Sequence, residues 1–258
     1  GSKLDYYRTE IADKLEIKRL TVQGVYEFMV KKYGFERIGT YSNFNKYIKK
    51  LKLKPIKKEG GNPRYEKKAG EQAQVDWKED MTLVSRKGEV FKINIFLMVL
   101  GFSRYKFIML TSDRSQETLF NCIIQAFKFF GGVPKEILFD NMKTVVDHSK
   151  SSFSKTVFNH KFEYFAKDIG FTPIACRPYR PQTKGKVESL AKLMNRLKAY
   201  NEEFDTWDEL KIIIRNFMDD INHEVSQGSG IAPCEMITKE KEYLLPIPSM
   251  NMLTCYLS

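Results

Sequence analysis

Apolar positions recur at helical spacing through the first fifty residues. Leu4, Ile11 and Leu15 mark one helix, Val22, Val25, Tyr26, Met29 and Val30 a second, and Phe44, Ile48 and Leu51 a third. Thr21 and Thr40 stand where N-caps belong, and Tyr33-Gly34-Phe35 separates the second helix from the third. After them, Gly60-Gly61 lies between Lys57-Lys58 and Arg64, which fits a small hairpin wing or a basic linker over Pro55 to Tyr65.

From about Gly70 the pattern changes. Gln72 to Leu83, Val90 to Leu100 and Arg104 to Thr111 read as strands joined by short turns, which predicts an antiparallel meander. A helix over Thr118 to Phe130 ends at Gly131-Gly132, and a short apolar strand, Glu136 to Phe139, follows. Next come a helix over about Val157 to Ile169, a strand over Thr172 to Ala175, and long helices over about Lys184 to Tyr200 and Trp207 to Asn222. Three strands, helix, strand, helix, strand, helix is the element order of a ribonuclease-H-like α/β core. In that fold the first and fourth strands are neighbours at the middle of the sheet, and the helix after the fifth strand packs over the same end.

Composition is consistent with this. At 258 residues and 42% hydrophobic content, the chain can bury a real core. No apolar run approaches the roughly 20 residues that span a bilayer, and the start carries no signal-peptide pattern, so a soluble protein is expected. Gly1-Ser2 without a methionine reads as a cloning scar, with natural chain continuing upstream. Cys122, Cys176, Cys234 and Cys255 form no Cys-x-x-Cys pair and give no zinc-ligand spacing with His148, His160 and His223, so reduced thiols in a cytoplasmic protein are expected.

The formal net charge of +11 is unevenly placed: residues 1 to 70 hold 18 Lys and Arg against 8 Asp and Glu, leaving 25 against 24 for the rest. A basic module joined to a nearly neutral one suits a phosphate-binding domain beside a core. The third helix would present Tyr41, Ser42, Asn43, Asn45, Lys46 and Lys49 on its outer face, as the recognition helix of a DNA-binding helix-turn-helix does.

Three carboxylates carry the candidate chemistry. Asp76 sits in the first strand, Asp140 directly follows the apolar run Ile137-Leu138-Phe139, and Glu188 lies on the helix after the fifth strand. In the fold expected, they converge. Two Mg²⁺ ions about 3.5 to 4 Å apart, serving phosphodiester cleavage or transfer, need hard oxygen ligands of this kind. Each residue alone also fits a plainer reading: Asp76 as a polar strand residue, Asp140-Asn141 as a turn, and Glu188 as the partner of Lys184 or Lys192 one turn away. Against the last stands the run Arg177, Arg180, Lys184, Lys186, Lys192, Arg196 and Lys198, in which Glu188 is the single acid. Such a run suits bound DNA, with cations on phosphates and the carboxylate on metal.

Gly70-Glu71-Gln72-Ala73-Gln74-Val75-Asp76-Trp77, Gly131-Gly132-Val133-Pro134, Phe139-Asp140-Asn141-Met142-Lys143 and Arg177-Pro178 through Lys184-Gly185-Lys186-Val187-Glu188 resemble the catalytic core of bacterial insertion-sequence transposases of the IstA type. These belong to the DDE superfamily and are related to retroviral integrases. The resemblance covers about residues 70 to 225, and the helices before it are similar to a DNA-binding region of that family. It implies that Asp76, Asp140 and Glu188 are the metal-binding catalytic triad, with Mg²⁺ or Mn²⁺ as cofactor, and that the chain cleaves transposon ends and joins 3′-hydroxyls to target DNA. It further implies double-stranded DNA as substrate, a homo-multimer on paired ends, an AAA+ ATPase helper and a nucleoid-associated location. Arg177, Arg180, Lys184, Lys186 and Lys192 would contact DNA.

The division expected is a helix-turn-helix domain over 1–54, a basic wing or linker over 55–70, a ribonuclease-H-like catalytic core over 71–225 and a tail over 226–258, with a β-rich domain beyond it. Two departures from the integrase pattern stand out. The 47 residues between Asp140 and Glu188 exceed the retroviral spacing, so the serine-rich stretch from Lys143 to Val157 is expected to be a flexible loop, and the His/Cys zinc module is absent. Asp219, Asp220 and Glu224 make the surroundings of Asn222-His223 acidic, which suits protein contacts, and His223 is given no catalytic role. A metal-dependent nuclease using the same triad and a noncatalytic DNA-binding regulator remain as alternatives.

Overall fold

The structure, a computed structural model, describes residues 1–17, 20–53, 67–139, 146–148, 157–175, 192–225 and 230–257. Two compact units emerge. One comprises Gly1–Pro63, Leu83–Val90 and Glu188–Thr206, the other Arg64–Thr82, Phe91–Val187 and Trp207–Ser258.

The first unit opens on a continuous helical run in three geometries: a 3-10 turn over Lys3–Tyr7, α1 over Arg8–Ala12 and a π turn over Asp13–Ile17. Thr21 caps α2 (Val22–Tyr33) by accepting from the Gly24 N–H, and Thr40 caps α4 (Tyr41–Lys50) by accepting from the Asn43 N–H. Between them, α3 (Phe35–Ile38) is a single turn set between Gly34 and Gly39, an element the apolar spacing does not announce. Leu4, Ile11, Leu15, Val25, Met29, Phe44 and Ile48 are buried together with Ala199.

A helical stretch over 192–198, α7, and the turn after it belong to the same unit. Asn195 Oδ1 accepts from the Thr21 N–H at 3.0 Å, and Arg196 pairs with Glu27. Lys14, 2% exposed, donates to the Ala199 carbonyl at 2.6 Å and lies 3.9 Å from the centroid of the Phe28 ring. A buried ammonium is tolerated here because a carbonyl and an aromatic face both meet it.

Nearby, Lys32 donates to Glu10 at 2.9 Å and to Glu203 at 3.3 Å, and the Tyr33 hydroxyl donates to Glu10 at 2.5 Å. Burial alone would push the Glu10 carboxyl up, but the Tyr33 and Lys32 donors outweigh it and hold it below 4.5. Burial likewise opposes the Lys32 charge, and Glu10 with Glu203 outweighs it, raising the ammonium above 10.5. The Glu10 contribution to stability is therefore present above about pH 4.5 and lost as pH falls through its lowered folded value. The Lys32 contribution is full below 10.5 and lost as pH rises through its raised one. Glu10→Gln is expected to cost at most about 1 kcal/mol at neutral pH. Melting temperatures of the two proteins should converge as pH drops below that of an ordinary glutamate, and a constant gap would contradict this.

The second unit holds a five-stranded sheet in the order β3-β2-β1-β4-β7. Its strands are β1 (Gln72–Val84), β2 (Val90–Leu100), β3 (Lys106–Thr111), β4 (Glu136–Phe139) and β7 (Thr172–Ala175). β2 and β3 are antiparallel, while β4 runs parallel to both β1 and β7. The five-residue link from β1 to β2 leaves no room for a crossover and makes them a hairpin. This is the sheet expected from the element order.

Alternation sorts the side chains. Ala73, Val75 and Trp77 of β1, Phe96 and Met98 of β2, and Ile137 and Phe139 of β4 share one buried cluster with α5 (Gln116–Phe130) and α6 (His160–Ile169). Phe120 and Phe165 stack there with centroids 4.1 Å apart. Ser115 caps α5 by accepting from the Thr118 N–H, and Gly131 ends it in the left-handed conformation. Burial in this cluster raises the Cys122 thiol to about 12, and Cys122, Cys234 and Cys255 are all free.

Three expectations need correction. Val157–Phe158 is not the start of the helix but a short strand, β6, which pairs with β5 (Val146–His148) in a small antiparallel sheet. Asn159 then caps α6 by accepting from the Phe162 N–H, so the helix begins at His160. β5 lies in the stretch assigned to a flexible loop; residues 149–156 are outside the described ones. β3 likewise starts at Lys106, because Arg104 sits at φ 62 in the turn before it.

The chain then forms α8 (Trp207–His223), α9 (Pro233–Glu240) and α10 (Met250–Thr254). Leu210, Ile214, Phe217 and Ile221 are the buried face of α8. Asn222 brackets Lys106, accepting from its N–H at 2.9 Å and donating to its carbonyl at 2.8 Å, which satisfies the start of the sheet's edge strand. Ile237 and Leu253 join the α5 and α6 cluster, so residues beyond 230 pack into the core. Among the described residues, no helix is long and apolar enough to cross a membrane.

Candidate active site

β1 supplies the site because it is central and alternates. Its second face carries Gln72, Gln74 and Asp76, opposite the apolar Ala73, Val75 and Trp77. Gln72 is 6% exposed and donates from Nε2 to Glu136 Oε1 at 2.6 Å, a cross-strand pair on the register Gln72 with Glu136. Asp76 is half-buried, and its Oδ1 accepts from the Trp77 N–H at 2.9 Å. A carboxylate in this position is a hard oxygen donor at the rim of a dry sheet, the donor chemistry that Mg²⁺ and Mn²⁺ take.

The register brings the second acid's strand alongside. Val75, the residue before Asp76, is paired with Phe139, the residue before Asp140, and Phe139 is paired in turn with Ala175. Asp140 and Glu188 lie outside the described residues, as do Arg177, Arg180, Lys184 and Lys186; Lys192 is exposed on α7. Among the described residues, no three His, Cys, Asp or Glu gather as a cation site.

On α4, Ser42, Asn43, Lys46 and Lys49 are exposed, as the spacing predicted. Tyr41 and Asn45 differ: both are half-buried, and Tyr41 lies edge-on to the Tyr26 ring at 5.2 Å between centroids. An aromatic at the first helical position has the neighbouring helix within reach and buries its ring there.

Sequence reasoning passed over Gln74. It is 4% exposed, and its Oε1 has no hydrogen-bond partner among the described residues; the same is true of Trp77 Nε1 on the other face. An unpaired buried acceptor costs about 1 to 3 kcal/mol. The signal was present in Gln-Ala-Gln-Val-Asp, where every second residue is polar on a strand that should be apolar on both faces at the centre of a sheet.

The integrase core domain family matches residues 66–181. Similar proteins include one from insertion sequence element IS5376 of Geobacillus stearothermophilus, 38% identical over 261 residues, covering 100% of this chain and 62% of that protein. The transposase for IS232 of Bacillus thuringiensis subsp. berliner is 39% identical over 194 residues, 75% of this chain and 45% of its own length. The chain thus spans about half to three-fifths of these relatives. Among solved structures, a chain in the simian T-cell lymphotropic virus intasome complex with PP2A regulatory subunit B56 gamma superposes with a TM-score of 0.50 at 14% identity, covering 93% of this chain and 77% of that one. That likeness shows a shared fold. The matched core and these relatives show that the chain is similar to insertion-sequence transposases that carry an integrase core domain.

Proposed function

We propose that the chain carries the catalytic part of a DNA transposase that cleaves at transposon ends and joins 3′-hydroxyl ends to target DNA. The observation that carries this is the central register: Asp76 follows Val75 on β1, and Asp140 follows the paired Phe139 on β4. Asp76, Asp140 and Glu188 would hold two Mg²⁺ or Mn²⁺ ions, which would supply Lewis-acid activation of the attacking hydroxyl and charge stabilisation at the leaving oxygen. The chain's own part is positional. β1 fixes the Asp76 carboxylate through the Trp77 N–H, and the basic residues Arg177, Arg180, Lys184, Lys186 and Lys192 take the phosphates on either side. Double-stranded DNA is the substrate, the working form is a multimer on paired ends, and an AAA+ ATPase helper assists target choice.

The test is incubation with labelled terminal oligonucleotides and plasmid target in Mg²⁺ or Mn²⁺. Covalent joining of the supplied 3′-hydroxyl supports a transposase. Hydrolysis without joining identifies a nuclease, and DNA binding without any metal-dependent chemistry identifies a regulator.

The exposed face of α4 bears on the first step. Ser42, Asn43, Lys46 and Lys49 meet DNA, with the lysines on phosphates and the N-terminal polar pair nearest the bases. Lys46→Ala with Lys49→Ala is expected to lower the slope of log affinity against log salt by about 2. An unchanged slope would place the DNA elsewhere.

A further inference from the structure

We infer that Gln74 is a positioning residue for the cation held at Asp76, its Oε1 accepting a hydrogen bond from a water molecule on that cation. The inference rests on Asp76 being a cation ligand, as proposed above.

Three buried polar side chains lie on β1 and β2. Gln72 is satisfied by Glu136, and Asn94 of β2 accepts from the Asp80 N–H at 3.0 Å. Gln74 alone of the three keeps an acceptor oxygen without a partner among the described residues, at 4% exposure. Buried polar atoms are almost always bonded, so this oxygen needs a donor that is not among the described side chains. Its register partner on β4 is Leu138, which offers none. A valine or isoleucine would suit a central strand better unless the amide has a task.

Geometry names the donor. Residues two apart on a strand lie on the same face about 7 Å apart. A cation about 2.1 Å from a carboxylate oxygen, with its water as far again, brings that water within reach of a glutamine two residues upstream. Mg²⁺ held by few carboxylates keeps several waters, and a metal-bound water is a hydrogen donor that needs an acceptor. An unpaired oxygen supplies it.

The experiment titrates Mn²⁺ into the chain with a 3′-hydroxyl-ended duplex and reads bound metal by its paramagnetic signal, beside melting without metal. Gln74→Met keeps length and apolar volume but cannot accept, and it is expected to melt no lower than the parent. It should bind Mn²⁺ about tenfold or more weakly. The Mn²⁺ needed for half-maximal joining should rise in step, with the rate at saturating Mn²⁺ within about threefold, the split that a metal-positioning role produces. Gln74→Glu retains an acceptor and should bind at least as well as the parent, which keeps the test open if the methionine variant folds poorly. Parent-like Mn²⁺ affinity in Gln74→Met, or weakened affinity in folded Gln74→Glu, overturns the inference. Asp76→Asn serves as the reference: if it too binds Mn²⁺ like the parent, the reading of Asp76 as a ligand fails and takes this one with it.

Discussion

Asp76→Asn is expected to lower the rate of strand joining by about a thousandfold or more while leaving the fold intact. The exchange is nearly isosteric, and an asparagine oxygen can still accept from the Trp77 N–H, so the local strand geometry survives. On the function proposed, what would be lost is the negative charge that would hold a divalent cation against developing charge in the transition state. Charge stabilisation by a bound metal is worth several kcal/mol, and each 1.36 kcal/mol is tenfold in rate. Asp80→Asn makes the same change of charge four positions along β1, at an exposed carboxylate 3.7 Å from Arg114, and is expected to stay within about twofold of the parent. The measurement is joining of a labelled terminal duplex by the parent and both variants, with melting as the check on folding. Joining by folded Asp76→Asn at the parental rate would sink the assignment. On the function proposed, Asp140→Asn and Glu188→Gln should match Asp76→Asn, because ligands acting as one unit would fail together.

Local signals were legible, and long-range ones were not. Thr21, Thr40 and the alternation through Ala73, Val75 and Trp77 act within a few residues, so caps and strand faces follow from spacing alone. The sheet order came from the succession of elements and the family resemblance. By contrast, Val157-Phe158 continues the apolar rhythm of the helix behind it, and Asn159 ends the ambiguity through a side-chain bond that periodicity does not encode. Nothing local in the sequence marks Lys14 as buried; Ala199 and Phe28, far along the chain or on the next helix, enclose it. The motif glycines show the same divide. A Cβ at Gly70, which has φ 71, would strike the Tyr243 carbonyl, and one at Gly132 would meet Leu244. Both glycines answer to a segment more than a hundred residues downstream, so they mark close backbone packing, and the chemistry of the neighbouring acids is separate from them.

The same downstream segment yields the largest expected loss of stability. Glu240 ends α9 with 0% exposure, and its two carboxylate oxygens accept from the Gly70 N–H at 3.0 Å and the Ser103 N–H at 2.9 Å. One buried side chain therefore ties the lead-in of β1 to the turn after β2. Glu240→Ala leaves both donors buried without an acceptor, at about 1 to 3 kcal/mol each, or about 2 to 6 kcal/mol together. At about 2 to 4 °C per kcal/mol for a domain of this size, melting should fall by roughly 4 to 24 °C. Glu240→Gln keeps one oxygen and turns an amide toward the other donor, so it should fall between the parent and Glu240→Ala. Amide exchange at Gly70 and Ser103 should accelerate most in both variants, while that of Val75, deep in β1, should accelerate only in step with the loss of global stability. A melting temperature within a degree of the parent for Glu240→Ala would show that the two N–H groups find other acceptors, and that the segment after α9 is held to the sheet by Ile237, Leu245 and Leu253 alone.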